Sequence, residues 1–146
     1  MILYSDKKLG EILISMGFAT NEQVFNGLIE AKKDFTKIGS KLVEQGVITI
    51  DQLKIALKAQ LEIDIVTNEQ IAAVDAKTIS ILPDDFILMY KVMPIRMENG
   101  VLIVGMVNPK DQAAISNTIA FTGLNPKILL ITHYEFKMLK KMFINI

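Results

Sequence analysis

Apolar and polar residues trade places at helical spacing through the first sixty positions, and the pattern runs twice. From Lys8 the chain reads KLGEILISMGFATNEQVFNGLIEA, and 29 residues later, from Lys37, it reads KIGSKLVEQGVITIDQLKIALKAQ. Aligned, the copies share a cation, an apolar residue and Gly, then a Leu and a second Gly. A Thr with Gln three places on follows, and then two apolar positions four apart. Residues four apart lie one helical turn from each other, so Val24 and Leu28, like Leu53 and Leu57, share a face. Each copy therefore predicts helix, turn, helix. Gly17 and Gly46 stand where a helix ends in a left-handed residue. Thr20 with Gln23, like Thr49 with Gln52, spells a capping box. Five residues, Lys32 to Thr36, join the copies. Two helix pairs are too few for a solenoid, which needs three or more repeats, so residues 1–60 are expected to form a helical subdomain. A duplication this tight can also build a site from equivalent groups, suited to a ligand with two equivalent halves.

After Gln60 the helical period gives way to mixed signals. Ile63 to Val66 is short, apolar and β-branched, and predicts a strand. Ala76 to Leu82 predicts a short helix stopped by Pro83. Asp84 and Asp85 open another through Tyr90, at the end of the helix dipole that favours carboxylates. Val92 to Met97 alternates apolar and polar residues, Glu98-Asn99-Gly100 supplies a turn with positive φ, and Val101 to Val107 is a continuous apolar run. Together they predict a hairpin. Asn108-Pro109 breaks that strand. Asp111 to Phe121 predicts a helix stopped near Gly123, Lys127 to Ile131 a further strand, and Thr132 with Glu135 the cap of a last helix. The expected fold class is α+β. A helical subdomain of two repeated helix pairs, residues 1–60, packs on a small α/β subdomain, residues 61–146, with a hairpin and a mixed sheet, in one compact module.

Composition narrows the function classes. At 146 residues and 51% apolar, the chain can bury a sizeable core. Sixteen basic residues balance sixteen acidic ones, which argues against a nucleic-acid footprint, since that needs a basic face. Lys137, Lys140 and Lys141 read as a solvated helix face. Cysteine is absent, so no disulfide or thiol chemistry enters, as suits a reducing compartment. No basic-then-apolar leader precedes the first copy, and no apolar run approaches ~18 residues. The expected location is cytoplasmic, with any place at the inner membrane reached through a protein partner.

Reaction chemistry finds no foothold. Gly100 and Gly105 have the glycine spacing of a phosphate loop, but Met106 and Val107 stand where Lys and a hydroxyl residue should be. His133 is the one histidine, so no histidine cluster can hold a metal. Asp84, Asp85 and Asp111 stand at helix starts, as dipole partners do. With no converging roles, neither catalytic nor metal-binding residues are expected, and the chain reads as a non-enzyme.

The double pattern with its five-residue spacer resembles the N-terminal domain of bacterial type II secretion and type IV pilus assembly ATPases. In that family each copy begins Arg-Leu-Gly and ends Leu-x-x-x-Leu-x-x-Gln. The stretch ISILPDDFILMYKVMPIRMENGVLIVGMVNPKD follows the same family's continuation, with Ile-Pro, a helix, Tyr-x-Val-x-Pro, a hairpin and Asp-Pro-x-Asp. The likeness runs from about Lys8 to Met142 and implies an excised module or truncated relative, ending where such a domain hands over to its ATPase core. It implies no ATPase activity for this piece. Its implied work is regulation and docking, coupling the motor to the cytoplasmic domain of an inner-membrane platform protein, with its own ATPase core as a second partner in a longer chain.

The resemblance also implies a ligand, cyclic di-GMP, and no other cofactor. Carried over, Lys8, Leu9, Gly10, Val24, Leu28 and Ala31 would face one half of it, and Lys37, Ile38, Gly39, Leu53, Leu57 and Gln60 the other. Asn108 and Asp111 occupy the family's acidic motif. In this transfer glycines let backbone approach the ligand, apolar side chains cover purine faces, and a cation offsets phosphate charge. Both family arginines are lysines here, Ala31 replaces a Gln and Asn108 an Asp. A lysine cannot grip a guanine edge bidentately, which costs roughly 1–3 kcal/mol per contact. Two such losses would weaken binding by roughly two to four orders of magnitude if they add. The competing expectation is that the repeat serves as a scaffold and packing surface.

Overall fold

The computed structural model describes residues 6–61 and 63–144. The chain falls into two units, Met1–Ile63 with Thr132–Tyr134, and Asp64–Ile131 with Glu135–Ile146. The fold class is α+β, as the sequence pattern predicts.

The first unit holds α1 (Asp6–Ser15), α2 (Asn21–Lys33), α3 (Ile38–Glu44) and α4 (Ile50–Leu61). Shifted by one copy, α1 and α3 end at equivalent residues, and α2 and α4 begin at equivalent residues. The cause is local. The Thr20 hydroxyl accepts from the Gln23 N–H at 3.1 Å while Gln23 Oε1 accepts from the Thr20 N–H at 2.9 Å. Thr49 and Gln52 repeat both bonds at the same lengths. At the end of α1 the N–H groups of Gly17 and Phe18 donate to Ile14 O and Leu13 O, and Gly46 and Val47 repeat this on Val43 O and Leu42 O at the end of α3. Gly17 and Gly46 have φ of 76° and 75°, the left-handed values this closure requires.

Glycines also set how closely the helices pack. A Cβ on Gly10 would stand 2.7 Å from Val24 Cγ1, and one on Gly39 would run into Leu53 Cδ1. These are the same two positions in the two copies. Gly27 makes a third close approach, in which a Cβ would meet Ile38 Cδ1 and Leu42 Cδ2 at 2.8 Å, so α2 of one copy lies directly on α3 of the other. Leu9, Leu13, Ile38, Leu42, Leu53 and Leu57 are fully buried. Each such side chain contributes about 1.5–3 kcal/mol over an exposed one.

The second unit holds α5 (Asn68–Ala72), α6 (Ala76–Ile79), α7 (Asp84–Tyr90), β1 (Val92–Glu98), β2 (Val101–Met106), α8 (Gln112–Thr122) and β3 (Lys127–Leu130). Most of α9 (His133–Phe143) belongs to it as well. The sheet order is β1-β2-β3, antiparallel then parallel, and α8 supplies the crossover that parallel strands need. Asn99 and Gly100, with φ of 52° and 79°, form the two-residue turn. Val66, Ile87, Val92, Leu102, Val104 and Phe136 are among its core residues.

Three expectations change. Ile63 to Val66 is not a strand of the sheet. It makes one parallel bridge, Ile65 with Leu130, before Thr67 ends the extension by capping α5. Val92 to Met97 does not alternate: Val92 to Ile95 are all buried and Arg96 to Glu98 all exposed. Helices α5, α6 and α7 contact β1, and a register shift between Pro94 and Arg96 interrupts the pleat. Helix α5 was not expected, although Thr67 and Gln70 spell the same capping box as the two copies.

An added methyl at either repeat glycine is expected to destabilise. Gly to Ala within a helix ordinarily gains about 0.5–1 kcal/mol, but overpacking a filled core costs about 1–3 kcal/mol. Gly10→Ala and Gly39→Ala should each lower the unfolding free energy in urea, and Gly10→Ala with Val24→Ala should cost less than the sum of its parts. Strict additivity would mean that the two positions do not press on each other.

Candidate functional site

Eight of the positions singled out in the duplicated pattern are buried: Leu9, Gly10, Val24, Ala31, Ile38, Gly39, Leu53 and Leu57. Their apolar side chains are committed to packing, and the space beside Gly10 and Gly39 is filled by Val24 and Leu53 rather than left open. Lys8 is exposed, and Leu28, Lys37 and Gln60 are half-buried. Of the positions singled out, these four keep exposed surface.

The equivalent groups are not in equivalent surroundings. Lys8 lies inside α1, while Lys37 is the N-cap of α3, with φ −75° and ψ 147° and no capping bond from its side chain. The difference arises because α1 starts at Asp6, and the residue in the same place before α3 is Phe35, which closes α2 instead. Ala31 is buried where its counterpart Gln60 is partly open.

Asn108 and Asp111 belong to the second unit. The Asp111 carboxylate caps α8, accepting from the Ala114 N–H at 3.0 Å. Asn108 Oδ1 accepts from the Lys110 N–H at 3.1 Å, and Asn108 O accepts from the Asp111 N–H at 3.1 Å. Both polar side chains thus hold the turn between β2 and α8.

The spacer carries features that the sequence pattern does not announce. Phe35 has φ 55° and is 94% exposed. It sits where Gly17 and Gly46 sit in the other closures: its N–H donates to Lys32 O, and the Thr36 N–H donates to Ala31 O at 2.9 Å. Lys41 ties this loop down, pairing with Asp34 and, at 3.1 Å, with Glu44. The Asp34 hydrogen bond, then that of Glu44, holds the Lys41 ammonium above its ordinary pKa. Phe25 and Ile29, one turn apart on α2, are also exposed. Ser40, beside Gly39, is buried, and its Oγ has no hydrogen-bond partner among the described residues. The i, i+3 spacing of Lys41 and Glu44 was readable in the sequence. Phe35 was not, because nothing marks a left-handed position without glycine or asparagine.

Among the described residues no group of three or more His, Cys, Asp or Glu could hold a metal ion. No described helix is long and apolar enough to cross a membrane.

A family model, the MshEN domain, matches residues 61–139. Bacteriophage adsorption protein B of Escherichia coli K12 is 31% identical over 118 residues, covering 77% of this chain and 15% of that protein. The type IV pilus assembly ATPase PilB of Myxococcus xanthus is 27% identical over 130 residues, covering 89% of this chain and 23% of that protein. The chain therefore spans less than a quarter of the length of these relatives. The solved structure of MshE with cdg has the same fold, with a TM-score of 0.57 at 17% identity over 92% of this chain and 97% of that one.

Two variants test the spacer. A non-glycine residue in the left-handed region costs roughly 1–2 kcal/mol, and glycine returns part of that through unfolded-state entropy. Phe35→Gly should therefore raise the urea midpoint, and a lowered midpoint would mean that the exposed ring supports the loop. Lys41→Met should lower stability at neutral pH. The raised pKa means that the contribution is complete below the ordinary lysine value of 10.5 and is lost as pH climbs through the folded-state value. The gap between wild type and variant should accordingly close in strong alkali.

Proposed function

The chain belongs to the MshEN domain family, and from that premise we propose that it is a non-catalytic regulatory and docking domain of a type II secretion or type IV pilus assembly ATPase. In this reading it couples the motor to the cytoplasmic domain of an inner-membrane platform protein. The observation that carries it is the relation to PilB across 89% of the chain, joined to a fold shared with MshE. The residues support it. Of the candidate carboxylates, Asp111 caps α8 through the Ala114 N–H, Asp85 accepts from the Phe86 N–H and Asp84 stands in the first turn of α7. Because bacteriophage adsorption protein B is also a relative, the identity of the whole protein is a separate question, which a phosphate loop downstream in the reading frame would answer in favour of the ATPase.

A second reading has its own support in the solved structure of MshE with cdg. In it the duplicated helices bind cyclic di-GMP. Lys8 and Lys37 offset the phosphates, Leu28 and Gln60 take accessible contacts, and the buried apolar positions with Gly10 and Gly39 fix the spacing of the helices beneath. Lysines in place of the family's arginines keep the charge and lose the planar fork.

Pull-down of the cognate platform protein's cytoplasmic domain by the folded chain should yield a complex, and its absence would remove the docking role. Calorimetry with cyclic di-GMP separates the second reading. Heat at high micromolar ligand should fall with Lys8→Ala or Lys37→Ala and rise, by about tenfold or more in affinity, with Lys8→Arg plus Lys37→Arg. A flat titration would leave the repeat as scaffold.

A further inference from the structure

The two edges of the sheet in the second unit are finished differently. Beside β3, the Val66 N–H donates to Leu130 O and the Leu130 N–H donates to Asp64 O, both at 2.9 Å, so residues 64–66 occupy that edge. β1 is the other edge. Its register runs Glu98 with Val101, Met97 with Leu102 and Arg96 with Ile103. A two-residue turn makes Glu98 and Val101 a hydrogen-bonded pair. Pairs alternate along an antiparallel ladder, so Met97 turns its N–H and C=O outward, away from β2.

That outward side borders a cleft of about 510 Å³ between α6 and β1. Its lining includes Lys77, Thr78 and Ile81 from the helical side and Ile95, Arg96 and Met97 from the strand. The carboxylate of Asp75, which also lines it, is taken up by the Thr78 N–H at 2.8 Å. This bond, with the Thr78 side chain, lowers its pKa. Arg96 approaches Glu98 only to 3.8 Å, with both side chains more than half exposed, a pairing too weak to hold the guanidinium against a better partner. The cleft thus offers an apolar floor, two exposed cations and the outward N–H and C=O of Met97. Strand addition uses these three elements, with backbone bonds for affinity and alternate side chains for specificity.

We propose, on the basis of the docking reading above, that this cleft receives an extended segment of the platform protein. The segment adds beside β1 as a fourth strand, places an apolar side chain over Ile81 and Ile95, and brings a carboxylate to Lys77 and Arg96.

The test uses the whole chain and the cytoplasmic domain of the cognate platform protein. In the complex the Met97 amide should exchange at least tenfold more slowly, while the Glu98 amide, already paired, changes little. Lys77→Glu with Arg96→Glu should weaken binding at least tenfold. A wild-type chain that forms no complex overturns the docking reading and this surface with it. A complex in which the Met97 amide stays unprotected, or which the charge-reversed variant forms equally well, overturns the cleft alone and leaves docking standing. Protection of Met97 that follows the concentration of the chain itself would assign the edge to a second copy and also overturn the proposal.

Discussion

The first unit depends on a glycine facing an apolar side chain, made once in each copy. Gly10 receives Val24 and Gly39 receives Leu53, so the two helices of a copy approach to a distance that no side chain larger than hydrogen allows. Turn closures and caps repeat around this one contact. Gly27 then lets α2 of the first copy lie on Ile38 and Leu42 of the second, which makes the duplication a single core rather than two hairpins side by side. A core so filled has little give, since interiors pack at crystal density.

That density redistributes the work of the repeated motif. Gly10 with Gly39 and Leu13 with Leu42 repeat identically and are buried, while the other identical pairs, which begin at Lys8, Gly17, Thr20, Gln23 and Leu28, keep exposed surface in at least one copy. Faithful repetition therefore records turn closure and capping as well as packing. The joint between copies adds the departures: a phenylalanine in a left-handed position, and Asp34 paired with Lys41 of α3, which also pairs with Glu44 of its own helix.

Much of this was legible in the chain. Capping boxes and closing glycines located the four repeat helices to within a few residues, because those motifs act through bonds between near neighbours. The hairpin was equally plain from Asn99-Gly100. The failures have one origin, which is that tertiary cover overrides local pattern. Val92 to Ile95 look half-exposed in sequence and are buried because α5, α6 and α7 contact the strand. Ile63 to Val66 has the composition of a strand and makes only one bridge. Gly10 and Gly39 were expected to let backbone approach a ligand, and the space beside them is filled by Val24 and Leu53. Spacing along one chain does not reveal which neighbour fills a gap.

Lys8 within a helix and Lys37 at the head of another make the two copies inequivalent in a specific way. A molecule with two identical halves, laid across them, would find one end gripped by a side chain projecting from a finished turn and the other by one anchored where a turn begins. Its halves would cease to be interchangeable, one way round would be preferred over the other, and resonances that coincide in free solution would separate into two sets.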